Sequence, residues 1–304
     1  MEFGLNVKEN AIDSLNEGLA KFELGEQGDL RSYKFAILHM AHFVELVLKL
    51  YLTSVNQNIV FSKCFKEINK RAKSDNTDPL TAYKALEREG FDFTSLIKNE
   101  PNPHTVDVEK ALSLARCESC QITGAQFVEE QYVDDINWMK DLRNSIAHFE
   151  FRLTPKEVRL AIGRLIRGTA EFADVFCLFN LEDEIGKDKA HVFEILSDEY
   201  AQEVREAERD VDERREEAFR GVRPKHQIFV DWEEYDCPEC EKHTMIPSED
   251  SSTGYRCTLC GNEESFEIEV NCDICGCPWP NGDMATWPDS YTHVCPRCDN
   301  PEAW

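Results

Sequence analysis

Apolar residues recur at helical spacing through most of the first 180 positions of the chain. From Val7 to Leu24 they fall at Ile12, Leu15, Leu19 and Phe22, and Asn6 with Glu9 three positions later forms a capping-box pattern, so a first amphipathic helix is expected. Leu30 to Val55 is apolar on most sides and holds few breakers, the pattern of a helix buried in a bundle. Asp78 before Pro79 starts a short helix ending near Gly90, and Val106 to Arg116 reads as another, with Pro101 and Pro103 in the loop between. Phe127 to Phe149 carries Val133, Ile136, Met139, Leu142 and Ile146 on one face. Thr154, Pro155 and Glu157 then launch a helix through Val158, Leu160, Ile162, Leu165 and Ile166 to about Phe179. No period-2 run interrupts the series, so residues 1–187 are expected to form an all-α helical bundle.

Residues 188–225 read differently. Ala190, Phe193, Tyr200, Val204, Ala207, Val211 and Ala218 sit near heptad positions of a long, highly charged helix, with Ser197 and Arg214 weakening the seam. A solvated connecting helix and a dimeric coiled coil both fit this pattern. Beyond Gly221 and Pro224 the composition shifts to Cys, Pro, Gly and acid, which marks a boundary. Two small units are expected there, at 226–270 and 271–304.

Charge narrows the possible partners. The chain carries a net −25, and residues 231–304 hold 17 acidic against 3 basic side chains, while the remainder holds 42 against 31. Such a field repels phosphate backbones from the tail. The start MEFGLNVKEN has no basic segment followed by an apolar run, and no uninterrupted apolar stretch approaches 18 residues, so a cytoplasmic protein without a membrane span is expected. Thirteen cysteines in a reducing compartment point to metal rather than disulfides.

Eight of those cysteines form four C-x2-C hooks. Cys237 and Cys240 pair with Cys257 and Cys260 across 16 residues, and Cys272 and Cys275 pair with Cys295 and Cys298 across 19. A hook in a tight turn presents two sulfurs to one ion, and two hooks complete a tetrahedron, so two structural zinc ions are expected. Four thiolates leave no open position for water, which argues against a catalytic metal. Gly261 and Gly276 directly follow hook cysteines, where a left-handed backbone costs little. The segment is similar to zinc ribbons of the rubredoxin-knuckle type. Cys277, His243 and His293 are spare potential ligands, more readily explained as unligated neighbours. Trp279, Pro280, Trp287, Tyr291 and Trp304 suit either a protein-partner surface or packing around the knuckles. The acidic tail could also imitate nucleic acid before a basic groove on the helical domain.

A second constellation lies in the helix ending near residue 150: Arg143-Asn144-Ser145-Ile146-Ala147-His148. Arginine and histidine five positions apart are out of register on a helix, but at its C-terminal end they can converge on one concavity. Together with Glu45 and Lys49 on the long apolar helix, an E-x3-K element preceding an R-x4-H element, this segment resembles the HEPN superfamily of small all-α domains. The resemblance covers roughly residues 5–180. It implies a metal-independent endoribonuclease of toxin–antitoxin or antiviral defence systems, or a domain that only binds. His148 would then move a proton at the ribose 2′-hydroxyl or the leaving oxygen, and Arg143 would neutralise charge on the phosphate. Asn144 would hold a substrate oxygen and Glu45 would orient Arg143; a cap and an ion pair with Lys49 are the plainer accounts of these two. The resemblance further implies a homodimer, because in-line attack wants an acid and a base and each chain supplies one motif histidine. Phe149, Glu150 and Phe151 follow His148 where some family toxins carry a modified tyrosine, so control by that route is not expected. The competing expectation is a dimerising adaptor whose acidic ribbons recruit another protein. Arg143, Arg152, Arg159, Arg164 and Arg167 are the cations available for an RNA groove. His39 and His42 read as packed residues of the long helix, and Cys117 with Cys120 as a lone thiol pair.

Overall fold

The computed structural model of the 304-residue chain describes residues 4–120, 123–148, 151–230, 232–287 and 291–300. Phe149, Glu150 and Trp304 lie outside them. The chain forms two compact units, Met1–Tyr200 and Ala201–Trp304. The first is helical, and the second carries short antiparallel strand pairs.

In the first unit α1 (Val7–Glu26) opens with the capping box, Asn6 and Glu9 each bonding the other's backbone N–H. A three-residue turn then reverses the chain into α2 (Leu30–Val55), which packs along α1. The Tyr33 ring stands 2.4 Å from where a Cβ on Gly25 would sit, so the close approach at this end of the hairpin requires glycine. Phe43, Val44, Val47 and Leu48 of α2 are fully buried at the centre of the core. Length and hydropathy alone would let α2 cross a bilayer, but 61% of its most apolar window is buried inside the unit, as in the central helix of a bundle.

α3 (Ser62–Asp75) is a helix that the sequence reading passes over. Charged side chains dominate it and Phe61, its N-cap, offers no capping side chain, yet Cys64, Phe65, Ile68 and Ala72 are buried along one stripe. α4 (Pro79–Arg88) begins as expected, with Asp78 capping Thr81 N–H. α5 (Val108–Ala115) starts two residues later than expected because Asp107 is its cap, accepting from Lys110 N–H. α6 (Glu130–His148) begins after Phe127, whose N–H donates to the Glu118 carbonyl in a small bridged turn that uses Gly124 at φ +71°. α7 (Pro155–Val175) carries the expected Thr154 box but stops before Phe179, since Cys177 adopts φ +52°.

α8 (Leu181–Ile185) leads into α9 (Lys187–Ala218), and the division between the units falls inside α9. Phe193 and Leu196 join the core of the first unit, while Val204, Ala207 and Val211 are also buried. The a/d stripe is therefore covered within the chain and is no free coiled-coil seam. Leu196, next to the expected Ser197, takes the inward position. Gly163 of α7 meets α9 so closely that an added Cβ would lie 2.0 Å from the Leu196 carbonyl oxygen and 3.2 Å from Tyr200 Cβ. Backbone cannot swing aside as a side chain can, so Gly163→Ala should lower stability by about 1–3 kcal/mol or more in urea unfolding.

The second unit holds β1 (Met245–Pro247) with β2 (Tyr255–Cys257), β3 (Glu269–Asn271) with β4 (Pro278–Pro280), and β5 (Ala285–Trp287) with β6 (Tyr291–Val294), each pair antiparallel. A short α10 (Pro296–Asp299) follows. Ile268, Val270 and Met284 pack with Cys237, Cys240, Met245 and Cys257 in one small cluster. The expected border at 270/271 falls inside β3, and Met284 from beyond it packs against this cluster. Thr258 Oγ1 donates to the Ala207 carbonyl at 3.0 Å, tying the first hairpin to the C-terminal part of α9.

Candidate functional site

The four hooks come together as two groups that could each hold a metal ion: Cys237, Cys240, Cys257 and Cys260, and Cys272, Cys275, Cys295 and Cys298, with the sulfurs of a group within 4.8 Å of one another. The fit to a metal can be tested on distance. A tetrahedral ion with metal–sulfur bonds of about 2.3 Å holds its sulfurs about 3.8 Å apart. Cys237 and Cys260 are 3.5 Å apart, Cys240 and Cys257 3.6 Å, and Cys275 and Cys295 3.7 Å.

Local backbone explains why the sulfurs converge. Glu241, Gly261 and Gly276, each directly after the second cysteine of a hook, are left-handed at φ +57°, +77° and +70°. That conformation curls the hook around its sulfurs, and the fourth hook achieves the same through the turn of α10. Donors then face the sulfurs: Cys260 N–H to Cys257, Cys295 N–H to Cys272 and Asn262 Nδ2 to Cys237, with Thr244 Oγ1 3.1 Å from Cys257. Hydrogen bonds of this kind favour thiolate over thiol. The Cys295 amide leads in drawing the Cys272 thiol down to about 6. Cys277, His243 and His293 stand outside both groups. His243 instead places Nδ1 2.8 Å from Asp236. Trp287 donates from Nε1 to Asp299 at 2.7 Å and stacks edge-on with Tyr291, packing beside the last hook while both rings stay partly exposed.

The second constellation lies between α2 and α6. Arg143 Nη1 donates to Glu45 Oε2 at 2.9 Å, and the other carboxylate oxygen accepts from Lys49 Nζ at 2.7 Å. Glu45 therefore bridges both cations, so the orienting contact and the ion pair coexist. Asn144 is partly exposed, and His148 is exposed as the last residue of α6. Glu45 is the only carboxylate in α2, which also carries Arg31, Lys34, Lys49, His39 and His42. This helix is a local excess of cation in an acidic chain.

Three of the arginines expected to line a groove are engaged elsewhere. Arg159 bonds Glu26 and Glu199, and Arg164 is buried in an ion pair with Asp135 at 2.6 Å, its guanidinium 4.3 Å from the Trp138 ring centre. Arg167 Nη2 stands 3.5 Å from the same aspartate. Sequence spacing could not reveal this, because Asp135 belongs to another helix. His42, read as a packed residue, reaches solvent and places Nδ1 2.8 Å from Ser14 Oγ of α1. Cys117, of the lone thiol pair, points its Sγ at the Ser113 carbonyl, 3.2 Å away. Comparison with protein-family models, with curated proteins and with solved structures finds no match for this chain.

Proposed function

We propose that the helical unit is a HEPN-type, metal-independent endoribonuclease and that the cysteine groups hold two structural zinc ions. The observation that carries the first part is the Arg143–Glu45–Lys49 bridge between α2 and α6, with an exposed imidazole, His148, at the end of the same helix. A guanidinium fixed by a carboxylate is ready to meet a phosphoryl group, and a solvent-facing imidazole can exchange protons near neutral pH. In this reading His148 moves a proton at the ribose hydroxyl or leaving oxygen, Arg143 stabilises charge on the phosphate, Asn144 holds a substrate oxygen, and Glu45 positions Arg143. A homodimer through the helical unit would face two such sets across one groove. The testing experiment is RNA cleavage in excess EDTA with analysis of the new ends. Fragments ending in 2′,3′-cyclic phosphate support the reading, and intact RNA rejects it.

The tetrahedral sulfur spacing, with four thiolates and no vacancy, supports zinc as a staple rather than a reagent. The ribbons would then serve regulation or docking of a protein partner, as expected in a reducing, cytoplasmic setting. A second reading, a non-catalytic adaptor of the same fold, is favoured by the net charge of −25, which opposes RNA binding outside the α2 face. A role in toxin or antiviral defence is the biological setting that the resemblance suggests.

A further inference from the structure

The side of α2 that bears Glu45 continues toward the start of the helix. Arg31, Phe35, Leu38, His42, Glu45 and Lys49 follow one another at alternating steps of four and three residues, so they share one stripe. Arg31, Phe35 and His42 are exposed, and Leu38, Glu45 and Lys49 partly so. Phe35 is 48% exposed, whereas Phe43 of the same helix is fully buried. Lys34 flanks it, with Nζ 6.0 Å from the ring centre of Phe151.

Charge sets this end of the stripe apart. Arg71, Arg116, Arg159, Arg164 and Arg215 are each paired with a carboxylate. Arg31 and Lys34 have no ion pair among the described residues. The nearby acids are engaged: Asp29 accepts from Ser32 Oγ at 2.7 Å, and Glu26 is shared by the Tyr33 hydroxyl and Arg159. An exposed ring between uncommitted cations presents a flat face to a base and a positive rim to its backbone. Glu45, which holds Arg143, lies on the same stripe about 15 Å further along at 1.5 Å of rise per residue. The Arg143 side chain is itself 38% exposed, so one extended strand can meet both places.

We infer that Arg31, Lys34 and Phe35 form a subsite for single-stranded RNA. The Phe35 ring stacks on one base, the two cations hold the adjoining phosphates, and another phosphate of the same strand faces Arg143. The inference rests on the ribonuclease reading and deepens it by naming how the substrate is held. Stacking needs only the face of a base, so the subsite is indifferent to sequence and demands an unpaired strand. Free cations at one end of the stripe and Arg143 further along it match charges strung along a line, which favours a nucleic-acid strand over the acidic face of a protein.

The test measures binding of the full-length protein to a fluorescent single-stranded oligonucleotide with 2′-fluoro sugars, which lacks the attacking hydroxyl and stays intact. Phe35→Ala should weaken binding by about 5- to 100-fold, Phe35→Trp should keep it, and Phe35→Leu, apolar but without a ring, should bind as poorly as alanine. Arg31→Gln and Lys34→Gln should each reduce the slope of log affinity against log salt by about 0.7. On unmodified RNA, Phe35→Ala should raise KM and leave kcat unchanged, as befits a group remote from the bond that breaks. Truncating an exposed ring opens no cavity, and thermal melts of the variants check the fold. Wild-type affinity in Phe35→Ala or Phe35→Leu overturns the subsite. Tighter binding of polyglutamate than of the oligonucleotide overturns it in favour of an acidic protein, and absence of binding by the wild type overturns it outright. A wild type that binds through Phe35 yet leaves unmodified RNA intact keeps the subsite and rejects the ribonuclease reading alone.

Discussion

Arg143→Ala and His148→Ala are each expected to lower RNA cleavage by about 10²–10⁴-fold, the range spanned by removing a positioned proton-transfer group, with phosphate-charge stabilisation at the upper part of that range. The two losses have different origins. Arg143 is held by Glu45, which stays paired with Lys49 after truncation, so the carboxylate is not stranded and the helix pair should remain folded. The lost activity would then report the missing guanidinium rather than a damaged core. His148 is exposed at a helix end, where truncation opens no cavity. Measurement in EDTA, with circular dichroism on the same preparations, separates chemistry from folding. Equal activity in all three proteins would remove both residues from the mechanism.

Cys257→Ser is expected to reduce bound zinc from two ions to one and to unfold the first hairpin, and chelation to remove both ions and the structure of the second unit. The second unit has a small core, with Ile246, Val294 and Val204, Ala207 and Val211 of α9 buried apart from the cysteine cluster. Its hydrophobic cluster comprises Cys237, Cys240, Cys257, Met245, Ile268 and Val270, and three of these are themselves metal-ligand candidates. Structural zinc supplies roughly 10–16 kcal/mol of binding free energy in comparable small folds, far more than burial of three aliphatic side chains at about 1.5–3 kcal/mol each. The helices of the first unit draw on a large core around α2 and should keep their far-ultraviolet signal. Zinc content per chain, read with circular dichroism before and after chelation, checks both parts. Two zinc ions per chain retained in Cys257→Ser would dismiss the four-sulfur assignment.

Legibility varied with how local the determining signal is. The α1 and α7 capping boxes and the Asp78–Pro79 start of α4 were readable because cap and partner lie within four residues. α3 was not, since Phe61 offers no cap and the buried stripe of Cys64, Phe65, Ile68 and Ala72 is diluted by charge. At the candidate site Arg143, His148 and Glu45 were named from their motifs. His42 reads as packed on its helix but is exposed and meets Ser14, a contact that depends on how α1 lies against α2.

Residue order alone determined where most helices begin, that α2 is the core helix, and that eight cysteines fall into two sets of four. Each of these follows from periodicity, capping or ligand spacing within a short stretch. Tertiary structure decided which charges meet. It placed Arg159 and Arg164 in ion pairs inside the helical unit and left Arg143 beside Glu45, and it covered the apolar stripe of α9 within the chain. It also packed Met284 against the cluster around the first cysteine group. Contacts between distant segments depend on helix orientation and on which side chains share a buried face, and no local spacing encodes either.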